Sequence, residues 1–273
     1  MIEAYSLYSG SSGNAYLVHS ENTAVLVDAG RSSAALCRAV KDVGFDPQDI
    51  SAVLVTHEHS DHVSALRVFN KKYSIPIIGA VPVLRAVCEN EEMCSCAKAL
   101  PVKGEFLIGD IAVGACATPH DSSANVCYRF RTECGDSLAI ATDMGEVTEE
   151  CAEFLKGVGC AVIESNHDRK MLKYGTYPAY LKSRIASSHG HLSNDQCGDL
   201  AVSLAQAGTK AFLLAHLSRE NNTPDLAFDT VRASLDGAGF CDIPMECAGE
   251  SRTVRIGLDH GQCFVCAAEE GKA

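Results

Sequence analysis

Residues 57–62 read His-Glu-His-Ser-Asp-His and directly follow the apolar run Ala52-Val53-Leu54-Val55-Thr56. His57, His59, Asp61 and His62 therefore crowd together where a strand runs out into a loop and a new helix begins. Imidazole nitrogens and a carboxylate are ligands for borderline divalent metals. His57 and His59 are two apart, so an extended segment points both to the same side. Asp61 and His62 are adjacent and diverge, which suits two metal positions better than one. Read instead as surface histidines at a helix start, this density of ligand types has no cause.

A two-metal site needs more ligands than this run holds, and other candidates sit at the ends of expected strands. His120 follows a strand over 111–117 in Thr118-Pro119-His120-Asp121. Asp143 ends the run Leu138-Ala139-Ile140-Ala141-Thr142, and His216 ends Phe212-Leu213-Leu214-Ala215. A side chain at the mouth of a buried strand has its backbone fixed while its tip faces solvent. Singly, each of the three also reads as a cap or turn residue; together with 57–62 they read as ligands.

The elements that must position these residues alternate along the whole chain. The sequence predicts strands at 2–8, 14–19, 23–28, 52–56, 75–79, 111–117, 126–131 and 137–142, with helices at about 33–43, 63–72, 82–92 and 148–156. The second half predicts strands at 161–164 and 210–215, helices at 178–187, 193–207 and 224–238, and a last short strand at 254–258. Ser193 is the expected N-cap of 193–207. No Pro/Gly/Ser-rich linker interrupts this pattern, so residues 1–273 read as a single domain. Two sheets packed face to face with helices on both outer faces, an α/β sandwich, would bury a chain that is 47% hydrophobic.

No apolar run approaches the ~20 residues needed to span a bilayer. The start, Met1-Ile2-Glu3-Ala4-Tyr5, lacks the basic and apolar segments of a secretory signal, so a cytoplasmic location is expected, with no membrane association. The 14 cysteines are scattered through a large chain, as reduced core residues would be. Cys94 and Cys96, and Cys263 and Cys266, form isolated pairs without the second pair that a structural zinc wants. A net charge of −12 argues against a general nucleic-acid coat protein, which relies on a basic surface. It leaves room for an enzyme with a local positive site, because bound ions bring their own charge.

With these residues in place, the chain resembles the metallo-β-lactamase superfamily over essentially its full length. Asp28 in Leu26-Val27-Asp28-Ala29-Gly30 matches the first motif, the 57–62 run the second, His120 the third, Asp143 the fourth and His216 the fifth. The resemblance implies the αββα sandwich. It implies one metal on His57, His59 and His120, a second on Asp61, His62 and His216, and Asp143 bridging the two. It also implies that Asp28 orients the ligand loop from behind. The stretches 7–14, Glu164-Ser165-Asn166-His167-Asp168, Gly190-His191-Leu192-Ser193-Asn194 and His216-Leu217-Ser218-Arg219-Glu220-Asn221-Asn222 are similar to the YycJ/WalJ branch, whose members are metal-dependent 5′-to-3′ DNA exonucleases linked to DNA repair. A more distant similarity to tRNase Z implies a proton relay of Glu164 and His191, with His189 as the neighbouring alternative. The insertion of the RNase J-like nucleases and the arm of tRNase Z are missing.

On this reading two divalent ions, zinc or manganese, clamp a phosphoryl oxygen and lower the pKa of a bridging water, whose hydroxide attacks phosphorus. Asp61 and Asp143 take part as ligands, and His191, held by Glu164, protonates the leaving oxygen. The Ser9–Asn14 stretch, with Ser12 and Asn14, is a candidate anion nest, or simply a tight turn. Arg169, Lys170, Lys173, Lys182 and Arg184 form a basic stretch that would track a nucleic-acid backbone, or a solvated helix face. Ser218 and Asn222 are candidates for a terminal phosphate. The expected substrate is nucleic acid, foremost DNA. The alternatives are a small-molecule phosphodiesterase for cyclic nucleotides or phosphonate-type esters, which the acidic charge favours, and a catalytically silent metal-binding regulator.

Overall fold

The computed structural model describes residues 1–88, 91–101, 104–250, 252–259 and 261–268, apart from the side chains of Glu91, Glu92 and Cys94. Residues 89–90 of the helix expected at 82–92 and the Cys94 thiol thus lie outside the described residues. Its framework is two sheets. In the first, β1 (Ile2–Tyr8), β2 (Ala15–His19) and β3 (Ala24–Val27) form an antiparallel meander. It continues in parallel through β4 (Ile50–Leu54), β5 (Ile77–Gly79) and β6 (Ala97–Ala99). In the second, β7 (Phe106–Ile108), β8 (Ile111–Thr118), β9 (Asn125–Arg131) and β10 (Ser137–Ala141) are antiparallel neighbours. Beyond β10 run β11 (Cys160–Glu164), β12 (Ala211–Ala215) and β13 (Met245–Cys247), all parallel. The chain then returns to the first sheet, where β14 (Val254–Asp259) pairs with β1 and carries the edge strand β15 (Gln262–Ala267).

Strand parity divides the core into three layers. Leu138 and Ile140 of β10 meet Val18, Val27 and Leu54 between the sheets. Ala139 and Ala141 face the opposite way, into the layer under α6 (Glu149–Leu155), α9 (Asn194–Gln206) and α10 (Pro224–Gly237). Leu17, Leu26 and Val53 do the same on the first sheet, packing under α1 (Ser33–Asp42), α3 (Leu66–Tyr73) and α4 (Val81–Val87). The expected sandwich with helices on both outer faces is therefore present. Strands buried on both faces read as continuous apolar runs, which is why Ala211–Ala215 and Cys160–Glu164 were legible. Truncating a central side chain such as Phe212 to alanine would cost about 3–5 kcal/mol.

Several elements depart from expectation. The helix expected at 63–72 is two pieces, α2 (Ser60–Val63) and α3, because Ala65 N–H turns aside to donate to Ala29 O at 2.8 Å. The helix at 82–92 likewise stops at Val87, and α5 (Glu91–Cys96) follows separately. The strands β6, β7 and β13 span three residues each, too short to show alternation. The strand expected last, 254–258, is followed by β15, an apolar but half-exposed edge strand that was not expected. Between β11 and α9 lie α7 (Arg169–Tyr174), which was not expected, and α8 (Ala179–Ile185). Asp168 caps α7, its Oδ1 accepting from Met171 N–H at 2.7 Å. Ser193 and Gln196 form a reciprocal capping box at the start of α9.

Cys263 and Cys266 are three apart on β15 and so point to opposite faces. Their thiols contact Lys210 O at 3.1 Å and Arg255 Nε at 3.4 Å, and the described cysteines are all free. The pair does not converge on one ion.

Candidate metal centre and its mouth

Three residues at strand exits hold the left-handed backbone conformation that non-glycine residues rarely adopt. Asp28 after β3, Asp143 after β10 and His216 after β12 have φ of 63°, 59° and 56°. Each costs of order 1–3 kcal/mol and persists only where the surroundings fix it. Asp28 N–H donates to Leu54 O at 2.8 Å, His216 N–H to Ser9 Oγ at 2.8 Å, and Asp143 O accepts from Asn125 Nδ2 at 2.6 Å. The reversed backbone turns each side chain towards the same end of the sandwich.

Backbone contacts clamp the 57–62 run against two other loops. Asn14 N–H donates to Asp61 O at 2.7 Å, Ala29 N–H to His62 O at 2.7 Å, and Gly30 N–H to Asn14 O at 2.9 Å. A Cβ on Gly30 would lie 1.6 Å from Asp61 O, so only glycine allows these segments to meet. Gly190 has the same role under α8, where a Cβ would lie 2.1 Å from Ile185 O.

Hydrogen bonds to Nδ1 then settle which nitrogen of each imidazole is free. His62 Nδ1 donates to Asp28 Oδ2 at 2.7 Å, His120 Nδ1 to Gly190 O at 3.0 Å, and His216 Nδ1 to Glu164 Oε1 at 2.8 Å. His57 Nδ1 lies 3.0 Å from Thr56 Oγ1, which itself donates to Asp28 Oδ2 at 2.8 Å. In all four rings Nε2 is the nitrogen left for an ion, the arrangement metal-bound histidines need. His57 Nε2, His216 Nε2 and Asp143 Oδ2 are buried with no hydrogen-bond partner. Orphaned donor atoms of these types, converging from separate loops, fit a divalent metal.

Ligand atoms within 4.8 Å of one another form four overlapping groups: His57, His59 and His120; Asp61, His62 and His216; His57, His62 and Asp143; and Asp143, Glu164, His191 and His216. Asp143 stands in two of them and meets members of the others. Electrostatics follow from this crowding. Burial and the neighbouring His62 push His57 down to about 2, leaving it neutral. Burial opposes charge on His62 too, but Asp143 and Asp28 overcome it and raise that imidazole to about 10. Against burial, the surrounding imidazoles hold Asp143 well below the usual carboxylate range. His191 and His216 likewise bring Glu164 down to about 2.

Glu164, at the end of β11, uses both oxygens. Oε1 accepts from His191 Nδ1 and from His216 Nδ1, each at 2.8 Å, while Oε2 accepts the backbone N–H of Met144 at 2.9 Å and of Leu192 at 3.1 Å. His191 opens onto a mouth of about 170 Å³ lined in part by Ser11, Asp121, Arg184 and Ser218. His189 is exposed and bonds locally to Ser188 Oγ at 3.1 Å, outside every ligand group.

The expected substrate residues scatter. Ser218 and Arg184 line the mouth, where Arg184 is held by Asp121. Ser12, half-buried, lies 3.4 Å from Arg219 Nη2, and Lys170 is exposed on α7. Asn14 is fully buried, and its Nδ2 sits 3.0 Å from His62 Nε2 and 3.2 Å from Asp61 Oδ2. It steadies the ligand loop and is out of a substrate's reach. Asn222 is buried as well, its amide donating to Ser165 O, Asn166 O and Asn194 Oδ1, so no donor remains for a phosphate. Sequence reasoning passed over Asp121, which lies 3.3 Å from His120 Nε2 and 3.9 Å from His59 Nε2. It also passed over Thr56, and it read Ser9 only as part of a candidate anion nest; their hydroxyls instead join the loops, Thr56 to Asp28 and Ser9 to His216.

Residues 8–150 match the metallo-beta-lactamase superfamily. The chain is 35% identical over 242 residues to the exodeoxyribonuclease YycJ of Bacillus anthracis, covering 86% of this chain and 89% of that protein. It is 34% identical over 230 residues to the exodeoxyribonuclease WalJ of Streptococcus pneumoniae, covering 82% and 85%. The metallo-beta-lactamase fold protein YhfI of Bacillus subtilis shares the fold, with a TM-score of 0.68 at 15% identity over 93% of this chain and 99% of that one. With this match and these relatives, the chain belongs to the metallo-β-lactamase superfamily of metal-dependent hydrolases, in the branch of the YycJ and WalJ exodeoxyribonucleases.

Proposed function

We propose that this hydrolase is a dinuclear phosphodiesterase that shortens DNA from an end, in the 5′-to-3′ direction, within DNA repair in the cytoplasm. The observation that carries the reading is the single oxygen of Glu164 that holds both His216, among the ligand groups, and His191, at the mouth. This shared oxygen supports a role for His191 in handling a proton beside the place where an ion would gather a phosphodiester. The names of the two bacterial relatives support DNA as the substrate. Among the described residues no helix is long and apolar enough to cross a membrane. We read residues 1–273 as one hydrolase domain.

His57, His59 and His120 would hold one ion, zinc or manganese, and Asp61, His62 and His216 the second, with Asp143 between them. Bound there, such ions clamp phosphodiester oxygens and make water acidic enough to react near neutral pH. The protein's own groups do the rest. Asp28 and Thr56 fix the His57 and His62 rings from behind, and Asn14 steadies Asp61. Glu164 accepts from His191 Nδ1–H and so turns Nε2 towards the leaving oxygen; with both ring nitrogens carrying a proton, the Nε2–H would be the one handed over, the Nδ1–H staying in its bond to Glu164. Ser218 and Arg184 would contact the substrate at the mouth, and Ser12 and the exposed Lys170 would meet it beyond.

A second reading, a small-molecule phosphodiesterase, is favoured by the narrow mouth of about 170 Å³ and the −12 charge. The test is the metal-loaded protein on end-labelled single- and double-stranded DNA and RNA, beside bis(p-nitrophenyl) phosphate, across a zinc and manganese series. Nucleotides released from the 5′ end of DNA support the nuclease. Hydrolysis of the ester with no cleavage of DNA under any metal would overturn it in favour of the small-molecule enzyme.

A further inference from the structure

Behind α8 lies a second, larger pocket of about 540 Å³ that the hydrolytic centre does not use. Helix α8 is the partition: Arg184 and Ile185 line the mouth, whereas Lys182, Ser183 and Ala186 line this pocket. Asn166 and His167, consecutive in the chain, line the mouth and the pocket respectively. A space of this size falls within the roughly 300–1,000 Å³ of pockets that take a whole small molecule, and exceeds what a bare anion needs.

Two independent features define what the pocket would take. The first is charge: Arg169, Lys173 and Lys182 line it, and among the described residues no carboxylate does. Lys182 Nζ donates to the backbone oxygens of Lys173 at 2.9 Å and Gly175 at 2.7 Å, which hold the ammonium in place without neutralising it. Arg169 meets Asp195 at 3.4 Å, in a pair exposed to solvent on both sides and therefore weak. The second feature is an orphaned atom. His167 lines the same pocket at 3% exposure, and its Nδ1 is buried with no hydrogen-bond partner. Buried polar atoms are normally satisfied, and an imidazole nitrogen offers a donor or an acceptor according to the partner it meets. Among cations the partner that fits is an anion, to which Nδ1–H would donate. The buried side chain of Leu172 and the methyl groups of Ala179 and Ala186 give the pocket an apolar wall as well.

We propose that this pocket is a second binding site, one for a mononucleotide, with the phosphate monoester among Arg169, Lys173, Lys182 and His167 and the nucleoside against Leu172, Ala179 and Ala186. A phosphate monoester carries close to two negative charges near pH 7, which suits several cations around one recess better than the single charge of a phosphodiester. A recess walled by helices admits one nucleotide, whereas the backbone of a long duplex runs across a surface. Cleavage of a phosphodiester leaves such a monoester on one product, so the enzyme would generate a ligand of this class at the mouth, on the other side of α8. The choice of a nucleotide over other phosphate monoesters rests on the nuclease reading; the site itself rests on the pocket.

The test is calorimetric titration of the metal-loaded full chain with thymidine 5′-monophosphate. Its phosphate can also meet the metal centre, so the readout is the number of sites. Ala186→Leu, which fills the pocket from an exposed position, should bind at one site fewer than the wild type. Lys173→Gln with Lys182→Gln should weaken the same site about tenfold or more, as loss of charge-assisted hydrogen bonds would. Metal content by elemental analysis reports whether each variant keeps its centre. If the lysine variant loses metal, Ala186→Leu decides, since it only adds bulk to an exposed wall. Thymidine, which lacks the phosphate, should not bind at this site, and glucose 6-phosphate should bind there more weakly than the nucleotide. Equal site numbers and affinities in the wild type and Ala186→Leu overturn the inference. Glucose 6-phosphate binding as tightly as the nucleotide overturns the nucleotide assignment. Cleavage of DNA by the wild type judges the nuclease reading separately, so either can fall while the other's result is read.

Discussion

Asp28 and His62, both without solvent exposure, are joined by a hydrogen bond of 2.7 Å from Nδ1 to Oδ2. The other oxygen of Asp28 accepts Thr56 N–H at 2.9 Å, and the Thr56 hydroxyl links the same carboxylate to His57. One buried charge thus sets the rings of a residue from each expected metal position. Asp28→Asn keeps the shape and removes the charge. Zinc affinity, measured by competition with a chromophoric chelator, should fall about 10–100-fold with secondary structure retained. Affinity equal to wild type would mean that the carboxylate only fills space.

Metal uptake should release protons. Against the cost of burial, Asp143 and Asp28 raise His62 to about 10, and Asp143 and Glu164 likewise raise His216 above its ordinary range. In chelator-treated protein at pH 7 both imidazoles are therefore protonated, and an ion must displace the proton on each Nε2. His57, at about 2, is already neutral and contributes none. Calorimetric titration with zinc in buffers of different ionisation enthalpy should give roughly two protons released per chain, with affinity rising from pH 6 to pH 8. No buffer dependence would show that the unloaded site holds no such protons.

The ligand loop was legible because a metal needs particular atoms in one place, and 57–62 supplies them contiguously. Its supports were less so. Asp28 was recognised only by resemblance, while Thr56, Ser9 and Asn14 act through contacts made far away in sequence. The helix expected at 63–72 is broken by a tertiary bond from Ala65 to Ala29 that no local pattern encodes. Asn222 lies near His216 in sequence and looked available to substrate, yet folding commits its amide to Ser165 and Asn166. Long strands with two buried faces were plain; three-residue edge strands and the six-residue α7 fell below any periodic signal.

Glu164 and His191 should separate by their effects. His191→Gln leaves Glu164 on His216, so metal content should stay at the wild-type level. Turnover should fall about 10²–10⁴-fold for loss of the proton donor, with KM little changed. Glu164→Gln removes the charge that orients both rings, and should lower metal affinity as well as turnover. Loss of metal in His191→Gln would recast His191 as a ligand.

A last prediction lies away from the metal centre, on β1. Glu3 Oε1 accepts from His19 Nε2 at 2.6 Å and from Tyr5 Oη at 3.1 Å, and Arg255 stands 3.8 Å from Oε2. Burial favours the neutral acid, but the bond and charge of His19 outweigh it and leave the carboxyl below its ordinary value. A carboxyl with a depressed folded pKa binds its proton more readily in the unfolded chain. Its stabilisation is therefore complete above the unfolded value of about 4.3 and is lost as pH falls through the folded one. Glu3→Gln should cost about 1.5–3 kcal/mol at pH 7, the range for hydrogen bonds to a charged group. Urea unfolding of both proteins in chelator should show that difference holding from pH 7 to about pH 5 and shrinking towards pH 3. A difference constant down to pH 3 would show that the charge on Glu3 contributes nothing and that its bonds act through shape alone.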